Sequence, residues 1–297
     1  MERIETAVGA PAGRRAAATA ATLGLLLNTA VWGLSFVLIR DALRGTGVAV
    51  FLAVRFAIAT AALGLPLLRH SGRRAALRAA PAGLRAGLAL AAGYLLQTAG
   101  LTLTPAARAG FITGLSVVFV PPLARLLRGQ SLRPRQAAAL LPATLGLATI
   151  AGGAARTTAL NGGDLLVLGC AVAFALQIVL LAPRREAPPI AADPAALAFW
   201  QTATVTLAAV PALPFGGVRL TPAGAAAAAF LGLAGTAGTL WIQTAAQRHV
   251  SAARVAFVYT AEPLFAALFA VTLGGERLGG ATLVGGALIV LGMLLGL

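Results

Sequence analysis

This chain lacks lysine altogether and has one cysteine, two histidines and eight acidic residues in a length of 297. The lone cysteine, Cys170, excludes an intrachain disulfide and a cysteine-built metal cluster. Set in an apolar run, it reads as a small buried side chain. The two histidines and scattered carboxylates give no metal-ligand spacing, no nucleophile triad and no carboxylate cluster for Mg²⁺. No catalytic residue, metal site or cofactor is therefore expected, and enzyme chemistry is not. Charge is scarce as well. Charged residues make up 10% of the chain, against about 25% in a soluble domain.

What fills the chain instead is apolar. Hydrophobic residues account for 59% and the mean hydropathy is +0.89, so the bilayer is the expected solvent. The net charge of +15 comes from arginine alone. These arginines cluster in short gaps between apolar stretches, as topology anchors do. They are not interleaved with exposed aromatics as a nucleic-acid platform would be, and no nucleic-acid partner is expected.

About 20 apolar residues cross the hydrocarbon core as a helix. Ten stretches qualify: 20–40, 48–68, 82–101, 106–127, 135–152, 163–182, 194–214, 222–246, 252–273 and 279–297. Each is continuously apolar and rich in Ala and Leu, without the alternation of strands, so the fold expected is all-α and membrane-integral. The gaps carry breakers, among them His70-Ser71-Gly72, Arg133-Pro134, Pro188-Pro189 and Gly274-Gly275. The first stretch is too long for a signal-peptide core and is expected to stay as a helix. Residues 1–18 are polar and rich in small side chains, and are expected to be a disordered cytoplasmic tail.

A repeat runs through this apolar background. Gln97-Thr98-Ala99, Ala106-Ala107-Arg108, Phe111, Gly129, Leu132 and Gly146 return 146 residues on. They become Gln243-Thr244-Ala245, Ala252-Ala253-Arg254, Phe257, Gly275, Leu278 and Gly292. The Gln, Arg and Phe matches weigh most, because those residues are sparse. Two five-helix repeats follow, 19–153 and 161–297. Placing both termini in the cytoplasm leaves only Arg40, Arg44, Arg108, Arg156, Arg219 and Arg277 outside, with Arg55 within a helix and the rest inside. Five helices is an odd number, so the second repeat enters the membrane from the opposite side. Inverted-topology repeats are a common construction of secondary transporters.

Several short patterns then carry a resemblance. Trp32-Gly33-Leu34-Ser35-Phe36, Arg55-Phe56, Phe111-Ile112-Thr113, Val118-Phe119-Val120-Pro121, Leu126-Leu127-Arg128-Gly129, Gly163-Asp164-Leu165-Leu166, Glu262-Pro263-Leu264-Phe265 and Gly275-Glu276-Arg277-Leu278 occur in order. In these, from about Leu23 to Leu297, the chain resembles the drug/metabolite transporter superfamily, specifically its EamA-type ten-helix members. Gln130 departs from the pattern, standing where the first repeat often has the glutamate that Glu276 supplies in the second. The resemblance implies export of small metabolites, amino acids or drug-like compounds.

The candidate substrate-binding residues are the rare polar and aromatic side chains inside the apolar stretches. Glu262 sits about ten residues into its helix, near the bilayer midplane. An acid there costs about 2.5–3.5 kcal/mol, so it should face a partner or a wet cavity, and it is the candidate proton carrier. Arg55 is a candidate for binding a carboxylate or phosphate, with snorkelling or a structural ion pair as the competing account. Gln97 and Gln243 are repeat-related amides; Asn28 and Gln177 are further intramembrane amides. Trp32 and Tyr259 lie deep enough to be pocket walls, and Thr113 is the repeat equivalent of Tyr259. The proline steps Pro121-Pro122 and Glu262-Pro263 are candidate bending points.

The expectation is a multi-pass protein of the cytoplasmic membrane, with both termini cytoplasmic. Its partners would be a small-molecule substrate, the lipid bilayer and protons, and it would be a monomer or homodimer. Its function would be secondary transport by alternating access. A membrane-embedded structural or assembly protein without a transport cycle is the alternative.

Overall fold

A computed structural model describes residues 12–68, 70–104, 106–154, 161–182, 192–216, 218–273 and 279–296, and all the regular structure among them is helical. The elements run α1 (Ala12–Ala42), α2 (Val48–Gly64) with a 3-10 turn at Leu65–Leu68, α3 (His70–Leu101), α4 (Ala106–Gly114), α5 (Ser116–Arg128), α6 (Pro134–Ala154) and α7 (Gly162–Leu181). There follow α8 (Pro194–Ala209) with a 3-10 turn at Val210–Ala212, the short α9 (Leu213–Gly216), α10 (Pro222–Gly232), a π-helical turn at Leu233–Gly238, α11 (Thr239–Ala246), α12 (Ala252–Tyr259), α13 (Glu262–Thr272) and α14 (Gly280–Gly296).

Six helical runs among the described residues are long and apolar enough to cross a bilayer, and Leu283–Gly296 is a shorter apolar helix. Leucines such as Leu23, Leu88, Leu141, Leu165 and Leu207 point outward. Such exposure suits a lipid surface, where a helix satisfies all its backbone groups internally. The chain is thus a membrane protein, all-helical among its described residues.

Two helices reach further than the apolar stretches suggest. α1 opens at Ala12, inside the segment 1–18 expected to be disordered, while residues 1–11 lie outside the described residues. α3 opens at His70 rather than near 82, so His70-Ser71-Gly72 starts a helix instead of forming a loop. Ala, Leu and Arg are all strong helix formers. The basic run Arg73, Arg74, Arg78 is too polar for hydrocarbon yet suits a helix standing in the headgroup region. Hydropathy reports the membrane-embedded part of a helix, not its length. The breakers Pro188-Pro189 and Gly274-Gly275, with Glu276, Arg277 and the linker at 155–160, lie outside the described residues.

Two long stretches are broken, and at related places. Leu115 separates α4 from α5, and Thr260 and Ala261 separate α12 from α13; Leu115 and Ala261 are 146 residues apart. At the second break Pro263 occupies the first turn of α13, where its missing N–H costs nothing. Pro121 and Pro122 do not mark the first break, because they lie inside α5.

α7 is held at both ends. Its N-terminus carries a capping box: Asn161 Oδ1 accepts from Asp164 N at 3.0 Å, and Asp164 Oδ2 accepts from Asn161 N at 2.9 Å. Its last carbonyls lack the usual amide four residues on and take side-chain donors, Val179 O in addition to the Ala182 N–H at 3.1 Å. Gln247 Nε2 donates to Ile178 O at 2.8 Å, Arg128 Nε donates to Val179 O at 2.8 Å, and Arg128 Nη2 donates to Leu180 O. α7 packs against α3 on one side and α5 on another. α6 and α14 pack along small residues, so closely that a Cβ on Gly146 would lie 2.5 Å from Gly285 O.

Candidate functional site

A cavity of about 60 Å³, apolar over most of its wall but studded with polar side chains, opens at the two helix breaks. Thr113, Gly114 and Ser116 line it from the first break, and Tyr259 and Glu262 from the second. Trp32, Ser35 and Phe36 of α1, Arg55 of α2, Tyr94 and Gln97 of α3, Phe174 and Gln177 of α7 and Gln243 of α11 complete most of the wall. This volume holds a few waters and is smaller than a metabolite.

Arg55 is almost fully buried, with 1% exposure. Its Nε donates to Thr236 Oγ1 at 2.8 Å and its Nη2 to Gly235 O at 3.3 Å. Its guanidinium lies 5.2 Å from the Tyr94 ring centroid and 5.6 Å from that of Phe56, a cation–π cradle. The π turn explains the carbonyl. The N–H of Thr239 bonds Thr236 O, so Gly235 O is not taken by the usual amide four residues on. It accepts instead from Arg55, from Trp32 Nε1 at 3.1 Å and from Thr239 Oγ1 at 2.9 Å.

Glu262 stands at the first position of α13, where the helix dipole favours a carboxylate. It is half-buried, faces the cavity, and makes no hydrogen bond or ion pair among the described residues. The Tyr259 ring meets Trp32 edge-on at 4.8 Å between centroids. Behind it, Asn28 Nδ2 donates to Thr239 O at 2.8 Å and reaches Tyr259 Oη at 3.5 Å.

Four of the amides are bonded to one another, while Gln97 meets a hydroxyl. Gln97 Nε2 donates to Thr113 Oγ1 at 3.2 Å. Gln177 Nε2 donates to Gln201 Oε1 at 2.7 Å, and Gln243 Nε2 donates to Gln177 Oε1 at 3.0 Å and to Gln247 Oε1 at 3.2 Å.

Eight of the nine candidate residues therefore share one cavity: Trp32, Arg55, Gln97, Thr113, Gln177, Gln243, Tyr259 and Glu262. The ninth, Asn28, sits in the layer behind, against Tyr259. An Arg55–Glu262 ion pair does not form. Tyr94 is the main lining residue that the sequence reading did not single out. Its spacing of three from Gln97 puts both on one helix face, which was the available signal. Gln247, four residues after Gln243, could have been found the same way. Ser35, Phe36 and Phe174 resemble the other apolar or small residues of their helices and carry no signal.

Helical membrane bundles with a cavity at helix breaks include the proteins that move solutes. The family model of the EamA-like transporter family matches residues 19–152 and 161–297. The chain belongs to that family, and is a membrane transporter and not an enzyme. It is also similar to an uncharacterized transporter of Archaeoglobus fulgidus, 28% identical over 277 residues, spanning 93% of this chain and 85% of the relative. The crystal structure of another protein superposes with a TM-score of 0.74. It covers 93% of this chain and 96% of its own at 22% identity, which is a likeness of fold.

Proposed function

We propose that this protein is a secondary transporter that exports small organic solutes by alternating access through the cavity between its two halves. The solutes would be metabolites, amino acids or drug-like compounds. One observation carries the reading: a buried cation, Arg55, and a carboxylate, Glu262, line the same cavity without pairing. Arg55 is held by Thr236 and the Gly235 carbonyl, whereas Glu262 has no such partner, and a charge this deep is costly unless a ligand, water or proton completes it. Arg55 would take an acidic group of the solute, and Glu262 a basic group or a proton.

The size of the cavity supports a moving site. At about 60 Å³ it must widen to admit a solute, and the breaks at Leu115 and Thr260–Ala261 supply the joints. In this reading 19–153 and 161–297 are five-helix repeats of opposite orientation, giving ten crossings with both termini in the cytoplasm. The transporting unit would be a monomer or a homodimer.

The test is counterflow in proteoliposomes loaded with pooled amino acids, nucleosides, polyamines and cationic dyes. Exchange of at least one labelled solute, lost in Glu262→Gln, is expected. A folded, correctly inserted protein that exchanges none of them would point to an assembly partner without a transport cycle.

A further inference from the structure

The four glutamines form a chain whose sense is fixed by its two ends. At one end Gln201 donates to Leu197 O at 3.1 Å. A backbone carbonyl only accepts, so the amide nitrogen of Gln201 faces Leu197 and its Oε1 faces Gln177. Gln177 must therefore turn its nitrogen toward Gln201 and its Oε1 toward Gln243. At the other end Gln247 donates to Ile178 O, another obligate acceptor, so its Oε1 also faces Gln243. Gln243 thus meets two acceptors and spends both of its N–H groups on them.

What Gln243 has left is its Oε1. That oxygen has no partner among the described residues, yet it is not sealed. The buried side-chain polar atom without a partner among those residues is Asn28 Oδ1. Gln243 itself lines the cavity, whereas Gln201 and Gln247 lie behind the wall.

We infer that Gln243 offers the cavity a hydrogen-bond acceptor and no donor, and so selects a solute that carries an N–H donor over the same solute with that nitrogen fully methylated. Gln201 and Gln247 are positioning residues that hold this sense without touching the solute. The inference rests on the transport reading and narrows it to ammonium-bearing solutes. Glu262, on the same cavity, adds a second acceptor for them. A buried acceptor left unmet by a methylated nitrogen costs about tenfold in affinity.

The experiment has two arms, both on the full chain in nanodiscs. The first measures binding by thermal shift for matched pairs: ethylamine, phenethylamine, L-alanine and putrescine, each beside its N-trimethylated counterpart. At least one ammonium compound should bind about tenfold or more tightly than its partner, and Gln247→Leu, which frees one Gln243 N–H, should narrow that gap. The second arm follows exchange of the Gln243 side-chain amide protons after selective ¹⁵N labelling. Both should exchange slowly in the wild type, and one should become fast in Gln247→Leu or Gln201→Met. Equal binding within pairs, hits confined to compounds without an N–H donor, or fast exchange of both Gln243 protons in the wild type would overturn the inference. Slow exchange in a protein that no solute of any class binds would uphold the acceptor sense of Gln243 and count against transport itself.

Discussion

Arg55 and Glu262 face one cavity from α2 and from the first turn of α13, and no ion pair joins them. Arg55 is satisfied by a threonine hydroxyl, a π-turn carbonyl and two aromatic faces; Glu262 has no such set. The two substitutions should therefore behave differently. Glu262→Gln removes a charge that no neighbour needs, so the protein should insert and melt as the wild type does while solute flux falls by about tenfold or more. Arg55→Lys keeps the charge but loses the planar fork and the ring stacking. It should lower the melting temperature as well as flux. Flux and melting curves on the same preparations check both, and wild-type flux in Glu262→Gln would remove Glu262 from the transport path.

The capping box of α7 is remote from the cavity and tests the scaffold alone. Asn161→Ala abolishes the bond to Asp164 N and those to Thr104 Oγ1 at 3.1 Å and Leu103 O at 3.2 Å. Loss of such a cap costs about 1 kcal/mol. Thermal unfolding followed by tryptophan fluorescence should shift down by a few degrees, with solute affinity unchanged.

Helix contacts made through glycine can be separated from glycines that are merely present. A Cβ at Gly146 would stand 2.5 Å from Gly285 O and 2.8 Å from Ile289 N, both backbone atoms that cannot step aside. At Gly110 the nearest atoms are the Phe36 ring carbons at 3.7 Å, an ordinary contact. Gly146→Ala should part α6 from α14 and cost about 1–3 kcal/mol as overpacking. Gly110→Ala should leave stability the same or slightly raised. Paired melting curves of the two variants decide the matter.

The helices could be read from the sequence because a bilayer demands long apolar runs, and each expected run contains helix. The cavity was legible for the opposite reason: polar side chains are so costly in such runs that Arg55, Gln177, Gln243 and Glu262 stood out by rarity. Tyr94 was ambiguous, since a tyrosine suits both a headgroup interface and a buried ring stack. The early start of α3 was hidden, because arginines end an apolar run without ending a helix. The π turn left no trace, since Leu-Ala-Gly-Thr-Ala-Gly fits an α-helix of small residues equally well. What selects the wider turn is tertiary, namely Arg55 and Trp32 drawing on the Gly235 carbonyl.

That last dependence can be tested by removing the turn. A π turn holds one residue more than an α path between the same ends. Deleting Ala234 lets α10 and α11 join as a continuous α-helix with their faces still aligned. The Thr239 N–H would then engage Gly235 O, and Trp32 Nε1 and Arg55 Nη2 would lose the acceptor they now share. Arg55 would shift from its cradle over Tyr94, and displacements near 1 Å at a binding group cost about tenfold or more in rate. The expected result is a protein that still folds and inserts, melts below the wild-type temperature because buried donors lose their acceptor, and has lost most solute flux. If the deletion variant transports as well as the wild type, the π turn is a tolerated insertion and Arg55 does not depend on it for its position.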